Sequence, residues 1–218
     1  MSAESHPPST QGMPTRKEPI VYVIDDDEAM RLAVRDLLRS VGLRVEIFES
    51  SLDFLAFPKL DTPSCLVLDI RLRGESGLTF QEQIAKSGLR MPIVFMTGHG
   101  DIAMTVKAMK AGAVDFLAKP FRDQDMLDAV ASALVRDGER LASEQSNATL
   151  RASYHSLTPR EREVMAFVVA GMMNKQIASE MHVSEITVKI HRGQVMRKMS
   201  ARSVAALVKM SESLGVGT

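Results

Sequence analysis

The run Ile20-Val21-Tyr22-Val23-Ile24 ends on Asp25-Asp26, and its reading decides the fold of the first half of the chain. A short, wholly apolar run rich in β-branched residues is the pattern of a strand buried on both faces, as in a parallel sheet. Similar runs recur downstream. Cys65-Leu66-Val67-Leu68 precedes Asp69, Ile93-Val94-Phe95-Met96 ends on Thr97-Gly98, and Phe116-Leu117-Ala118 precedes Lys119-Pro120. In an open α/β sheet, ligands bind at the carboxyl ends of the strands, near the point where the winding reverses. Residues far apart in sequence should therefore converge in one crevice holding three carboxylates, an ammonium and a hydroxyl. That set suits a hard cation plus a phosphoryl group.

Working outward, the front half alternates strand and helix. Strands are expected near 20–24, 44–48, 65–69, 93–96 and 114–117, and helices near 28–41, 51–57, 77–87, 101–111 and 122–136. Gly42 and Gly112 are placed to end the first and fourth helices, and Ser50 or Ser51 to cap the second. This predicts an α/β, doubly wound, five-stranded parallel sheet of order 2-1-3-4-5, with strands 1 and 3 at the switch point. Residues 137–156 turn polar and Ser-rich, which predicts an extension of the fifth helix fading into a helical linker. Only helices follow. The expected division is a disordered tail over 1–18, one domain over 19–136, the linker over 137–156 and a second domain over 157–218.

Composition narrows the function classes. The chain has 218 residues and a formal net charge of zero, but the charge is split. Residues 19–136 carry 14 Lys and Arg against 17 Asp and Glu; residues 157–218 carry 9 against 5. An acidic front and a basic rear suggest different partners. The single cysteine, Cys65, rules out a disulfide framework within the chain and opens a predicted buried strand, where an inert core thiol is expected. No apolar run is long enough to span a bilayer, and no secretory pattern opens the chain. The expected setting is cytoplasmic, with no membrane partner.

The crevice residues can be given roles from their chemistry. Asp25, Asp26 and Asp69 can hold Mg²⁺ or a similar ion, which takes a few carboxylates and keeps several waters. Asp69, alone on the middle strand, is the candidate nucleophile for an aspartyl-phosphate. Lys119 offers a point charge to the phosphoryl oxygens and Thr97 a hydroxyl. Clustered carboxylates without a cation would repel one another, so the pattern implies a metal. The chain has no GxxxxGK[ST] loop. The pair within Gly98-His99-Gly100-Asp101 reads as a loop in which Asp101 caps the next helix. The five histidines lack metal-ligand spacing.

In the rear half, Thr158-Pro159-Arg160-Glu161 is a capping box with Pro at the first helical position. Helices are expected to about Ala170, over 174–181, over 185–199 with Ser184 as cap, and from about 202 to 213. Two short helices joined by the turn His182-Val183-Ser184 suggest a helix-turn-helix. Val188, Val195 and Met199 fall on one face and suit a core, while Lys189, Arg192 and Lys198 or Arg197 point elsewhere. Such a basic face can approach phosphates and base edges, and Lys175 could add a phosphate contact.

The set Asp25-Asp26, Asp69, Thr97 and Lys119-Pro120, with the segment MTGHGDIAMTVKAMKAGAVDFLAKPF, resembles the flavodoxin-like receiver domain of two-component response regulators. The resemblance implies that Asp69 accepts a phosphoryl group from a sensor histidine kinase. It implies that Asp26 and Asp69 ligate Mg²⁺ or Mn²⁺, with Asp25 the nearby acid and Arg71 supplying a backbone carbonyl. Thr97 and Phe116 resemble the switch pair, Lys119 the phosphate-binding lysine, and the Lys119–Pro120 bond is expected to be cis. The family's usual Met-Pro after the phosphoacceptor is absent; the loop reads Arg71-Leu72-Arg73-Gly74-Glu75-Ser76-Gly77.

The segment LTPREREVMAFVVAGMMNKQIASEMHVSEITVKIHRGQVMRKMSARS resembles the LuxR-type DNA-binding domain, a small all-α unit of four helices. Together the two halves resemble the NarL/FixJ family, and the FixJ branch in particular. By that resemblance Lys189, Ile190 and Gly193 face the groove of double-stranded promoter DNA, and Thr187, Arg192 and Lys175 contact phosphates. The resemblance also implies a homodimer on phosphorylation, with Val204, Leu207, Val208 and Met210 of the last helix either on a dimer surface or, for some of them, packed in the core, and RNA polymerase is a further expected partner. Apart from its own phosphoryl transfer and dephosphorylation the chain is not expected to be an enzyme. Two other readings stay open at this point: a receiver whose rear half docks on polymerase or an anti-sigma factor, because LTPRERE also resembles sigma-factor region 4, and a phosphatase using Asp69 on small substrates.

Overall fold

The computed structural model describes residues 18–98 and 102–216, without the side chains of 75, 102 and 103. The tail over 1–17 and the His99–Asp101 loop with its cap lie outside the described residues. The chain divides into two compact units, at Leu141 and Ala142.

The first unit is a five-stranded parallel sheet. Its strands are β1 (Ile20–Ile24), β2 (Arg44–Phe48), β3 (Ser64–Asp69), β6 (Ile93–Thr97) and β7 (Asp115–Ala118). They lie in the order β2-β1-β3-β6-β7, so β1 and β3 are neighbours at the switch point, as expected. Every residue of β1, β3 and β6 is buried, which is why these strands read as unbroken apolar runs. The helices are α1 (Glu28–Ser40), α2 (Ser51–Ala56), α3 (Gly77–Ser87), α4 (Ile102–Lys110) and α5 (Asp123–His155). Asp27 caps α1 by accepting from the amides of Ala29 and Met30, and Ser50, rather than Ser51, caps α2. Alternate strand residues feed two cores, one on each face of the sheet. Tyr22, Leu66 and Phe95 belong to one, Val21, Val67 and Val94 to the other. Cys65 is buried in the second core, and that burial pushes its thiol pKa far up, as suits an inert side chain.

Two features depart from the sequence reading. The loop after Asp69 forms a small antiparallel hairpin, β4 (Arg71–Leu72) with β5 (Glu75–Ser76), turning at Gly74 with φ +83°. Helix α5 extends through the expected helical linker as far as His155, without fading. The polar stretch is rich in Ala, Glu, Leu and Arg, and these helix formers outweigh its serines. Asp137 on this helix is fully buried, accepting from the Ser64 amide at 2.8 Å and from Arg140 Nε at 2.8 Å.

The second unit contains α6 (Pro159–Val169), α7 (Asn174–Met181), α8 (Glu185–Lys198) and α9 (Val204–Leu214). The capping box is formed: Thr158 Oγ1 accepts from the Glu161 amide at 3.3 Å and Glu161 Oε2 from the Thr158 amide at 2.7 Å. The core is Leu157, Val164, Met165, Val168, Ile177, Val188, Val195, Met199 and Leu207 with smaller neighbours.

Candidate functional site

Four strand ends build the first site. Asp25 and Asp26 follow β1, Asp69 ends β3, Thr97 ends β6, and Lys119 follows β7 with a cis bond to Pro120. One carboxylate oxygen from each of Asp25, Asp26 and Asp69 falls within 4.8 Å of the others. Lys119 Nζ bridges two of them, 2.7 Å from Asp25 Oδ2 and 2.6 Å from Asp69 Oδ2.

The backbone holds these groups in place. Asp25 Oδ1 accepts from the Asp27 amide at 2.9 Å, and its carbonyl accepts from Arg31 at 2.5 Å. Asp69 Oδ1 accepts from the Arg71 amide at 2.9 Å. Gly77, at the start of α3, is required by space: a Cβ there would lie 2.5 Å from the Asp69 carbonyl oxygen. Burial pushes the Asp25 carboxyl above its ordinary range, and the bonds from Lys119 and the Asp27 amide only partly offset it. Burial by itself would lower the Lys119 ammonium; the hydrogen bonds and charges of Asp25 and Asp69 outweigh it and hold it above its ordinary value. An acidic, all-oxygen donor set so closely grouped fits a hard divalent ion of the Mg²⁺ type.

Thr97 is buried, and its hydroxyl donates to the Gly98 carbonyl at 3.2 Å. Phe116, paired with Phe95 across β6 and β7, is 41% exposed. Arg73, on the hairpin turn, stands out in the sequence only as part of the loop that lacks Met-Pro. Its Nε lies 3.1 Å from Asp26 Oδ2, at the edge of a recess of about 300 Å³ lined also by Glu49, Ser50, Ser51, Asp53 and Leu72. No sequence spacing announces an ion pair between two loops 47 positions apart.

The second site lies on α7 and α8. His182, with φ 55°, makes the left-handed turn between them, and Ser184 caps α8 by accepting from the Thr187 amide at 3.1 Å. Val188, Val195 and Met199 are buried, as their shared face predicts. Lys189, Ile190, Gly193 and Lys175 are exposed. Thr187 pairs its hydroxyl with Ser184 Oγ at 2.9 Å. Arg192 is half-buried and donates to Asn174 Oδ1 at 2.8 Å, tying α8 to the start of α7. Ile186, which sequence reading passed over, is 73% exposed, and Ile190 is 59% exposed. Of the last-helix residues read as dimer surface or core, Leu207 is core, with Val204 and Met210 packed against the same cluster. Its spacing on an amphipathic helix fits either role, and the neighbouring helices claim it.

Comparisons with known proteins match both halves of the chain. Residues 21–131 match the response regulator receiver domain, and residues 155–211 match the bacterial regulatory proteins of the luxR family. Nodulation protein W of Bradyrhizobium diazoefficiens is 53% identical over 90% of this chain and 87% of its own length. The transcriptional regulatory protein FixJ of the same organism is 42% identical over 90% and 96%. The solved structure of the response regulator StyR superposes with a TM-score of 0.83 at 46% identity, covering 89% of this chain and 98% of that one. That of full-length FixJ from B. japonicum gives 0.56 at 41% identity, over 92% and 98%. With a receiver unit and a LuxR-type helical unit in one chain, this protein belongs to the NarL/FixJ family of two-component response regulators.

Proposed function

We propose that the chain is a phosphorylation-controlled transcription factor whose phosphoacceptor is Asp69. The observation that carries this reading is Lys119 Nζ held between Asp25 and Asp69, beside a third carboxylate, at the switch point of the sheet. An Asp69 carboxylate oxygen attacks the phosphorus of a kinase phosphohistidine. The P–N bond breaks, the imidazole departs with a proton, and a P–O bond forms. Lys119 then moves its charge onto the phosphoryl oxygens. Asp25, Asp26, Asp69 and the Arg71 carbonyl would hold Mg²⁺ or Mn²⁺, which neutralises phosphoryl charge when bound. The chain performs this transfer on itself alone, as it does the later hydrolysis, in which water displaces the Asp69 carboxylate and releases inorganic phosphate.

Phosphorylation switches the surface around β7. Thr97 turns its hydroxyl from the Gly98 carbonyl to a phosphoryl oxygen, and the exposed Phe116 swings inward. The changed surface favours a homodimer, which places two copies of α8 on two half-sites of promoter DNA. Lys189, Ile190 and Gly193 face the groove; Lys175, Thr187 and Arg192 meet phosphates. The proposed domains are a receiver over 19–136, a helical linker over 137–156 and a DNA-binding domain over 157–218. RNA polymerase is the downstream partner, and the setting is cytoplasmic. Among the described residues no helix is long and apolar enough to cross a membrane.

The test is to treat the protein and its Asp69→Asn variant with an acyl phosphate and Mg²⁺. Dimer formation by sedimentation and promoter binding by anisotropy should rise only in the unmodified protein. An equal rise in both would refute the reading.

A further inference from the structure

Helix α8 is apolar on two opposite faces. Val188, Val195 and Met199 form the buried face. At about 100° per residue, Ile186 and Ile190 each lie within about 20° of the line opposite that face. They are nonetheless 73% and 59% exposed. Packing within the unit explains the first face and leaves the second without a purpose in the free chain. Gly193 continues the outer stripe, and a Cβ added there would meet nothing within 4 Å, so the helix backbone can come close to whatever covers it. Exposed Lys189 borders the stripe, and exposed Arg197 ends it beside Gln194, to which it donates.

An apolar ridge flanked by cations, on a stretch of chain carrying 9 Lys and Arg against 5 Asp and Glu, complements a surface that is anionic at its edges and apolar at its floor. In the major groove the apolar group is the 5-methyl of thymine. We infer that Ile186 and Ile190 together read two thymine methyl groups, so that this chain selects half-sites with thymines about two base-pair steps apart. The spacing follows from the rise between the two residues, about 6 Å along the axis, against about 3.4 Å per base step. Ile186 becomes a specificity residue alongside Ile190, and the phosphate-facing cations supply affinity without choosing the base. This inference rests on the DNA-binding reading and sharpens it to a class of sequence.

The experiment uses the full chain activated with acyl phosphate and Mg²⁺. A half-site is selected from a random duplex pool, and each thymine is then replaced singly by deoxyuridine, which removes the methyl and leaves pairing and charge intact. Anisotropy should show about a fourfold loss of affinity at each of two positions and little at the others, as for one buried methyl-sized group. In Ile186→Ala the loss at one of these positions should vanish while the other persists. The far-UV spectrum of that variant should match the parent, since the residue is largely in solvent. Salt-sensitive binding indifferent to every deoxyuridine would overturn the inference and leave the DNA-binding reading standing. So would a methyl effect that survives both Ile186→Ala and Ile190→Ala, or a variant that loses only association between protein chains. No salt-sensitive binding to any duplex would instead overturn the DNA-binding reading itself.

Discussion

In the first unit Asp25, Asp69 and Lys119 arrive from three strand ends and hold one another at 2.6–2.7 Å. In the second, Ile186, Lys189 and Ile190 come from one helix and stand in solvent. The crevice is therefore part of the fold: its charges lie in or beside buried strands, and removing one alters what its partners feel. The α8 stripe is an addition to the fold, because the opposite face already secures the helix. A substitution in the crevice should move chemistry and stability together, whereas one on the stripe should move recognition alone.

The sharpest way to break this contrast is Asp69→Asn. Intact mass spectrometry after acyl phosphate and Mg²⁺ should show complete loss of the phosphoryl adduct, while Ile190→Ala should be modified like the parent. Next in size is salt. Between about 50 and 200 mM salt, affinity for promoter DNA should fall on the order of 10³-fold if about six phosphates are met per dimer. Lys175→Ala, which removes one of the cations that meet phosphates, should lessen that dependence.

A smaller effect sets the two units directly against each other. Gly77→Ala pushes a methyl to 2.5 Å from the Asp69 carbonyl oxygen and 3.2 Å from the Phe95 ring. Urea unfolding of the first unit should show a loss of about 1–3 kcal/mol. Ile186→Ala should leave the second unit within about 0.5 kcal/mol of the parent.

The smallest effect is one of pH. Lys198 Nζ at 2.7 Å and the Thr158 amide hold the Glu161 carboxyl below its ordinary value of 4.5. Ionised Glu161 therefore stabilises the folded unit above that value, and the benefit disappears as pH falls through the lowered one. Thermal melts of the second unit should drop across that acidic window, and Glu161→Gln should flatten the drop.

Much of the fold and of the crevice is legible in residue order. Strands β1, β3 and β6 are buried on both faces, so their apolar runs are unmistakable, and the residues that end or follow them lie at the crevice. Thr158 and Ser184 announce their helices by capping chemistry. The misses share a physical cause. The β4–β5 hairpin and the Arg73–Asp26 pair depend on where two loops meet, and no local pattern records that. Leu207 sits on an amphipathic helix and Ile186 on one apolar on two opposite faces, each at a spacing that fits a core or a surface. Only the neighbouring helices show that the first is buried and the second is not.

Residue order by itself determined the alternation of strand and helix, the caps, and which side chains end each strand, since these follow from the local chain and the period of its apolar residues. Tertiary structure alone decided that Lys119 spans Asp25 and Asp69 and that α8 turns two isoleucines outward. Distances between remote segments and the choice of exposed face are set by packing across the whole unit, which no stretch of sequence carries within itself.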